Sequence, residues 1–290
     1  MEEKLIKLYC EICHQCKYTT VAERMQRLSN NGRPKFTDEE CITIYLWGIM
    51  NGHFTNKAIW EFIRNYWSSW FPLMPKYKAF NHRLCRLWDV FPALLENICD
   101  RINLPNQSPL SLLDSMPIVV AKSARSGFAR TAADVCAKGY CASKREYFYG
   151  VKLHFLGQRR IGALPKPEGI LISKGNEFDL NVAKRWLVNF RNMTLICDKA
   201  YIDKQWTEDL RVFQNIELIT PVKKEKGQKF LDSADKLLSS AVSSFRQTVE
   251  SFFSWIQEKT NIQSASKVRS ANGLFSHIFG RLIAACLLLV

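Results

Sequence analysis

Residues 109–121, Pro-Leu-Ser-Leu-Leu-Asp-Ser-Met-Pro-Ile-Val-Val-Ala, constrain the fold more than any other stretch of the chain. The run is apolar and rich in β-branched residues, which predicts a buried strand with one carboxylate, Asp114, in its middle. An ionised carboxylate left unpaired in apolar surroundings is costly. Asp114 must therefore be protonated, paired or bound to a metal.

Other elements follow from periodicity. Residues 147–155 alternate as a second strand, with Tyr149, Val151, Leu153 and Phe155 on one side and Lys152 and His154 on the other. Short strands are expected at 159–164, 169–173, 194–198 and 216–221, helices at 179–192 and 204–213, and a long helix over 234–260. Strands followed by alternating β and α units predict an α/β domain around a mixed central sheet, here residues 106–290. Residues 1–105 read as an all-helical N-terminal domain. A first helix over 3–29 meets the breaker at 30–34, and Thr37 with Glu40 forms a capping box for the next. Thr55 caps another helix, and Phe80, Leu84, Trp88, Phe91 and Leu95 mark a third through helical spacing. Residues 55–95 are a candidate helix-turn-helix whose last helix carries Arg83 and Arg86 on a basic flank; the same pattern also serves as a plain packing hairpin. A linker is expected at 103–108 and a basic surface turn at 223–229.

Charge narrows the class of partner. The net charge is +14, with +3 on residues 1–105 (14 Lys/Arg against 11 Asp/Glu) and +11 on residues 106–290 (27 against 16). That balance points to a polyanion, most simply nucleic acid. Ten cysteines with no disulfide framework, in a chain with no signal peptide, point to a reducing, cytoplasmic compartment. Cys10, Cys13 and Cys16 surround His14, yet no second ligand pair follows, so a core helix is the preferred reading over zinc. The apolar run at 282–290 is short for a bilayer span and is expected to end a core helix; no membrane partner is expected.

Two further carboxylates are placed to join Asp114. Asp198 ends the strand at 194–198, where open α/β sheets hold ligands, although a turn or cap role is the plain alternative. Glu250 lies one step beside Val249 in the stripe Val242, Phe245, Val249, Phe252 and Ile256, with Arg246 four residues earlier. A surface Arg–Glu pair and a ligand offered to the sheet both fit that spacing. Three carboxylates in one pocket raise one another's pKa unless cations neutralise them. Two Mg²⁺ ions, with Mn²⁺ as substitute, suit such hard oxygen donors and would clamp a phosphodiester. The expectation is that all three converge within metal-bridging distance.

In these residues the chain resembles the DDE transposases of bacterial insertion sequences, most closely the IS-nine-eighty-two group, related to the IS-four-like enzymes. The resemblance rests on Leu112-Leu-Asp-Ser-Met-Pro117, Gly139-Tyr-Cys-Ala-Ser-Lys144 with Tyr149-Gly-Val-Lys-Leu-His154, Cys197-Asp-Lys-Ala-Tyr201, and Arg246 followed by Glu250-Ser-Phe-Phe-Ser-Trp. It implies an RNase H-like catalytic domain behind a helical N-terminal region. It also implies a metal-binding triad of Asp114, Asp198 and Glu250, and a DNA contact from Arg246. Lys152, His154 and Lys199 are further candidates for DNA contact, His154 being also a candidate internal histidine. Ser243 and Gln257 stand where IS-four-like enzymes often have Tyr and Lys, which bears on the DNA-end contacts and not on the triad.

The activity so implied is metal-dependent cleavage at the terminal inverted repeats and strand transfer into target DNA, by a homodimer on DNA associated with the bacterial nucleoid. The alternatives are a regulatory remnant that binds DNA without cutting, and a host nuclease without strand transfer.

Overall fold

In the computed structural model, which describes residues 1–25, 34–101, 107–142, 144–224, 227–228 and 230–289, the strand expected around Asp114 is β1 (Gln107–Lys122). Of the breaker at 30–34 only Pro34 is described. The linker residues 103–106, and residues 225, 226 and 229 of the basic turn, lie outside the described residues. The chain divides into two compact units, one of Met1–Ile102, Arg130–Asp134 and Ile256–Val290, the other of Asn103–Ala129 and Val135–Trp255. Each is described by itself.

The second unit is a mixed α/β structure. After β1 come the short helix α7 (Ser123–Ser126), β2 (Ala137–Cys141), β3 (Glu146–Arg160), β4 (Ala163–Lys174), α8 (Asp179–Trp186), β5 (Met193–Ile196), α9 (Lys204–Gln214) and β6 (Ile216–Ile219). The sheet order is β2-β3-β1-β5-β6, with β4 also on β3. β1 runs antiparallel to β3 and parallel to β5, and β5 is parallel to β6. The strands expected at 159–164 and 169–173 are the end of β3 and one strand, β4, which reverses at Gly162 (φ +69°). Only glycine takes that conformation freely.

β3 pairs with β1 along one edge and with β2 and then β4 along the other. Gly150 is the last β3 residue paired with β2, and Val151 the first paired with β4. A Cβ on Gly150 would stand 2.0 Å from the Ile118 carbonyl oxygen, so the crossing of these backbones requires glycine. β3 is buried on both faces, unlike the one-sided alternation expected. One face meets helices: Leu113 and Leu156 pack with Ala183 and Leu187, and with Trp206 and Leu210 of α9. The opposite face carries Asp114, whose cross-strand partner Phe155 stacks on Phe252 with ring centroids 4.5 Å apart.

The first unit is helical: α1 (Glu2–Tyr18), α2 (Val21–Arg24), α3 (Asp38–Met50), α4 (Asn56–Tyr66), α5 (Tyr77–Arg86), α6 (Val90–Arg101) and α11 (Ala271–Leu289). The capping box forms as expected: Glu40 N donates to Thr37 Oγ1 at 3.1 Å, and Thr37 N to Glu40 Oε2 at 2.5 Å. Thr55 caps α4 through Ala58 N at 3.1 Å. Two expectations change. The first helix stops at Tyr18, where Thr19 turns extended and its hydroxyl donates to the Gln15 carbonyl. The third expected helix is two, α5 and α6. Pro92 has no N–H to give a continuous helix, so the chain restarts at Val90 and places Pro92 in a first turn, where no N–H is needed. In α1 Cys16 is buried and Cys10 exposed, so the three thiols do not share one buried face.

The sequence-based division at 105/106 also differs, because Ile256–Val290 packs with the N-terminal helices. The nine-residue apolar end is part of a 19-residue helix, α11. By length and composition α11 is long and apolar enough to cross a membrane, yet most of it is buried inside the fold. The long helix α10 (Ser233–Thr260) belongs to the sheet unit as far as Trp255.

Candidate active site

Three elements bring the site together within the sheet unit. β1 holds Asp114 at mid-strand, on the face that Phe155 shares. Asp198 follows β5 and caps the one-turn 3₁₀ helix Lys199–Tyr201, its Oδ1 accepting from Lys199 N at 2.7 Å. The helix α10 buries Val242, Val249 and Phe252 against the sheet unit. Arg246 lies four residues after Val242 and three before Val249, so it stands on that buried stripe rather than at its edge. Glu250, one turn on, is largely exposed.

The three carboxylates meet at one guanidinium. Arg246 Nη2 lies 3.3 Å from Asp114 Oδ2 and 3.5 Å from Glu250 Oε1, and Nη1 lies 3.2 Å from Asp198 Oδ1. Exposure is graded: the side chains of Arg246 and Asp114 are 16% and 18% exposed, Asp198 41% and Glu250 60%. Burial raises the Asp114 carboxyl to about 6, against the lowering effect of the Ser115 backbone N–H and of Arg246; the Asp198 charge adds to the rise. Arg246 Nε is buried with no hydrogen-bond partner among the described residues. Below the cluster, Cys197 and Tyr201 are buried, and burial pushes both well above their ordinary pKa values.

The three carboxylates thus gather around an arginine, and not at the metal-bridging distance that was expected. Among the described residues no three His, Cys, Asp or Glu side chains stand close enough to share one metal ion. The donor set nonetheless fits a hard divalent cation. Its oxygens are carboxylate, three acidic groups face one guanidinium, and burial raises the pKa of the innermost, Asp114. The four-residue step from Val242 to Arg246 was the sequence signal for the central position of Arg246.

The other expected contacts divide. Lys152 is not presented to solvent: its Nζ donates to Asp179 Oδ1 and to the Glu177 carbonyl, both at 2.9 Å. His154 is internal, 2.8 Å from Ser173 Oγ, and burial lowers it to about 4, so it is neutral at physiological pH. Arg83 is held inside the helical unit by the Phe36 carbonyl and by Asp38 at 3.5 Å. Each of these three side chains has a local partner within the fold. Lys199 and Arg86 are exposed. Gln257 anchors the turn after α10, donating to Asn261 Oδ1 and accepting from Gln263 N, and Ser243 donates to the Ser239 carbonyl. Glu177 accepts from Lys174 N, and Asp203 caps α9 through Trp206 N, both local structural roles.

Comparison with known proteins adds the following. A family model described as the transposase DDE domain matches residues 105–271, more than half of the chain. A solved structure, the Drosophila P element transposase strand transfer complex, is similar over 73% of this chain and 47% of that one, with 14% identity and a TM-score of 0.31. The chain thus spans about half the length of that protein, and a likeness at this score carries no argument. No curated protein matches the chain.

Proposed function

Since the chain belongs to the transposase DDE domain family, we propose that it is a transposase of the bacterial insertion-sequence type, closest to the IS-nine-eighty-two group, which cuts DNA at element ends and joins them to target DNA. The observation that carries this reading is the meeting of Asp114, Asp198 and Glu250, from three separate elements, at one guanidinium. The mixed sheet, with antiparallel strands on one side of β1 and parallel strands on the other, supports an RNase H-like classification.

In this reading Asp114, Asp198 and Glu250 hold two Mg²⁺ ions, or Mn²⁺ in their place. When bound, the ions supply Lewis acidity and neutralise charge developing at the phosphodiester. The chain's own groups do the rest. Asp114 on its long strand fixes the centre rigidly, Asp198 is oriented by the Lys199 N–H, and Glu250 stands at the solvent side. Arg246 keeps the carboxylates together in the absence of cations, and its fork suits a DNA phosphate once the carboxylates have other partners. Lys199 and Arg86 are exposed cations for the same polyanion. The protein works as a homodimer on paired DNA ends, in the bacterial cytoplasm, with α11 as a core helix.

The test uses the full chain with a plasmid carrying the element ends. Mg²⁺-dependent nicks and joined products are expected, and Ala at Asp114, Asp198 or Glu250 should remove both while end binding persists. Full cutting by all three variants would sink the proposal. One observation favours a second reading, a DNA-binding regulator that does not cut: as folded, no three carboxylates share an ion position among the described residues. Shifted end DNA with no cleavage in either Mg²⁺ or Mn²⁺ would select that reading.

A further inference from the structure

Two thiols of the helical unit stand sulfur to sulfur. Cys99, near the end of α6, and Cys286, near the end of α11, have their Sγ atoms 3.7 Å apart, although 187 residues separate them in the chain. One comes from the N-terminal helices and the other from the C-terminal segment that returns to pack with them. The proposed chemistry of the carboxylate cluster uses neither.

The pair is asymmetric. Cys286 is 2% exposed and ends the run Leu282–Cys286, which is buried throughout. Cys99 is half-buried, between buried Ile98 and exposed Asp100. Solvent therefore reaches one sulfur and not the other. The contact with Cys99, and then burial, push the Cys286 thiol well above its ordinary pKa. It is protonated at neutral pH and shut away from dissolved reagents, so only a group already in contact can react with it. That group is Cys99.

Two small side chains in contact can be packing alone. Here the contact has the geometry of a bond not yet made. A disulfide needs its sulfurs about 2.05 Å apart. The helices α6 and α11 already pack against one another, so closing the gap takes rotation of two short side chains rather than the approach of two helices.

We propose that Cys99 and Cys286 form an oxidative modification site, closed to a disulfide by a hydroperoxide that enters at Cys99. In the first step the Cys99 sulfur attacks one peroxide oxygen. The O–O bond breaks, S–H becomes S–OH, and one water leaves. In the second the Cys286 sulfur bonds to the Cys99 sulfur. The S–O bond breaks, and the oxygen departs as water with the Cys286 proton. Two thiols lose two electrons in all, and one hydrogen peroxide is reduced to two waters. The order follows from exposure, since the half-buried sulfur is the one the oxidant meets. The bond ties residues 99–286 into a covalent loop that contains every strand and the whole of α10. It also fixes α11 to α6. A loop that long strongly restricts the unfolded chain and leaves the folded one as it was.

The experiment treats the full chain with hydrogen peroxide in small excess, alkylates remaining thiols in denaturant, digests without reductant and maps the peptides by mass. A peptide joining the Cys99 and Cys286 segments is expected, and dithiothreitol should separate it. The oxidised monomer should run faster than the reduced one on a non-reducing denaturing gel, and melt about 5 °C or more higher. Cys99→Ser should show neither the link nor the rise. In Cys286→Ala, Cys99 should stop at the sulfenic acid and be trapped by a 1,3-diketone reagent. Exposed Cys10 is the control for oxidant. Oxidised Cys10 beside Cys99 and Cys286 that both remain open to alkylation would overturn the proposal. So would Cys99 linked to a different cysteine, or an equal melting rise in Cys99→Ser. None of these readouts involves DNA or cutting, so the site stands or falls apart from the proposed function.

Discussion

Two arginines, Arg246 half-buried and Arg281 fully buried, stand in opposite electrostatic surroundings. Arg246 in the sheet unit touches three carboxylates, whereas Arg281 in the helical unit touches three carbonyls and a phenol. The first environment is left with a surplus of negative charge and the second with a surplus of positive charge. A guanidinium alone therefore says little about function; the sign of what remains around it says which ligand would complete it.

The largest expected effect tests the first half of that contrast. Asp114→Asn keeps the shape and removes the charge, and should cut DNA more slowly by about a thousandfold or more while melting as a folded protein. A variant that cuts at the wild-type rate would deny the cluster any role. Next comes Arg281→Lys, which keeps the charge and loses the fork. It should lose about 3 kcal/mol in a denaturation experiment, because several buried carbonyls go unsatisfied. If it is neutral, the second arginine is not the anchor described.

A titration separates the carboxylate side further. The Asp114 carboxyl is near 6 in the folded protein against an ordinary value of 3.8. The folded state thus binds this proton more tightly than the unfolded one, and stability from this group is lost as pH rises between about 4 and 6. In chelator, Asp114→Asn should exceed the wild type in stability at pH 7 by about 2 kcal/mol, the difference vanishing toward pH 4. A difference that grows on acidification would reverse the sign argued here. The smallest effect is expected from Arg246→Met, about 1 kcal/mol of destabilisation in chelator. Added Mg²⁺ should restore more stability to it than it adds to the wild type. A variant indifferent to Mg²⁺ would mean that Arg246 is not a stand-in for cations.

Much of this was legible in the sequence where a local rule was sufficient. Asp114 within an apolar run, the Thr37–Glu40 box and the stripe of α10 each follow from spacing over a few residues. Asp114, Asp198 and Glu250 were expected to meet at metal-bridging distance and instead gather around a guanidinium; the step from Val242 puts Arg246 on the buried stripe, but nothing local says that the carboxylates meet there. Lys152 and His154 share a strand face, which pointed outward in a one-sided reading. That face is the one Leu156 shares, covered by α8 and α9, so it is interior and both side chains found partners nearby. β2 itself is five residues long, too short for alternation to stand out from a loop. The neutral surroundings of Arg281 were illegible because Tyr45, Phe54 and Thr260 must be brought to it by tertiary packing.

The placement of Arg246 on α10 has a consequence for timing. Its contact with Asp114 spans 132 residues of chain, whereas β1, β3 and β4 are successive antiparallel partners. Closing a loop that long carries more entropy cost than zipping neighbouring strands, and parallel β5 and β6 need crossovers as well. During synthesis the carboxylate of β1 therefore waits, with its strand partners in place, until the ribosome has delivered α10. The carboxylate cluster is among the last features to assemble, and a nascent chain can hold most of its sheet before Arg246 reaches Asp114.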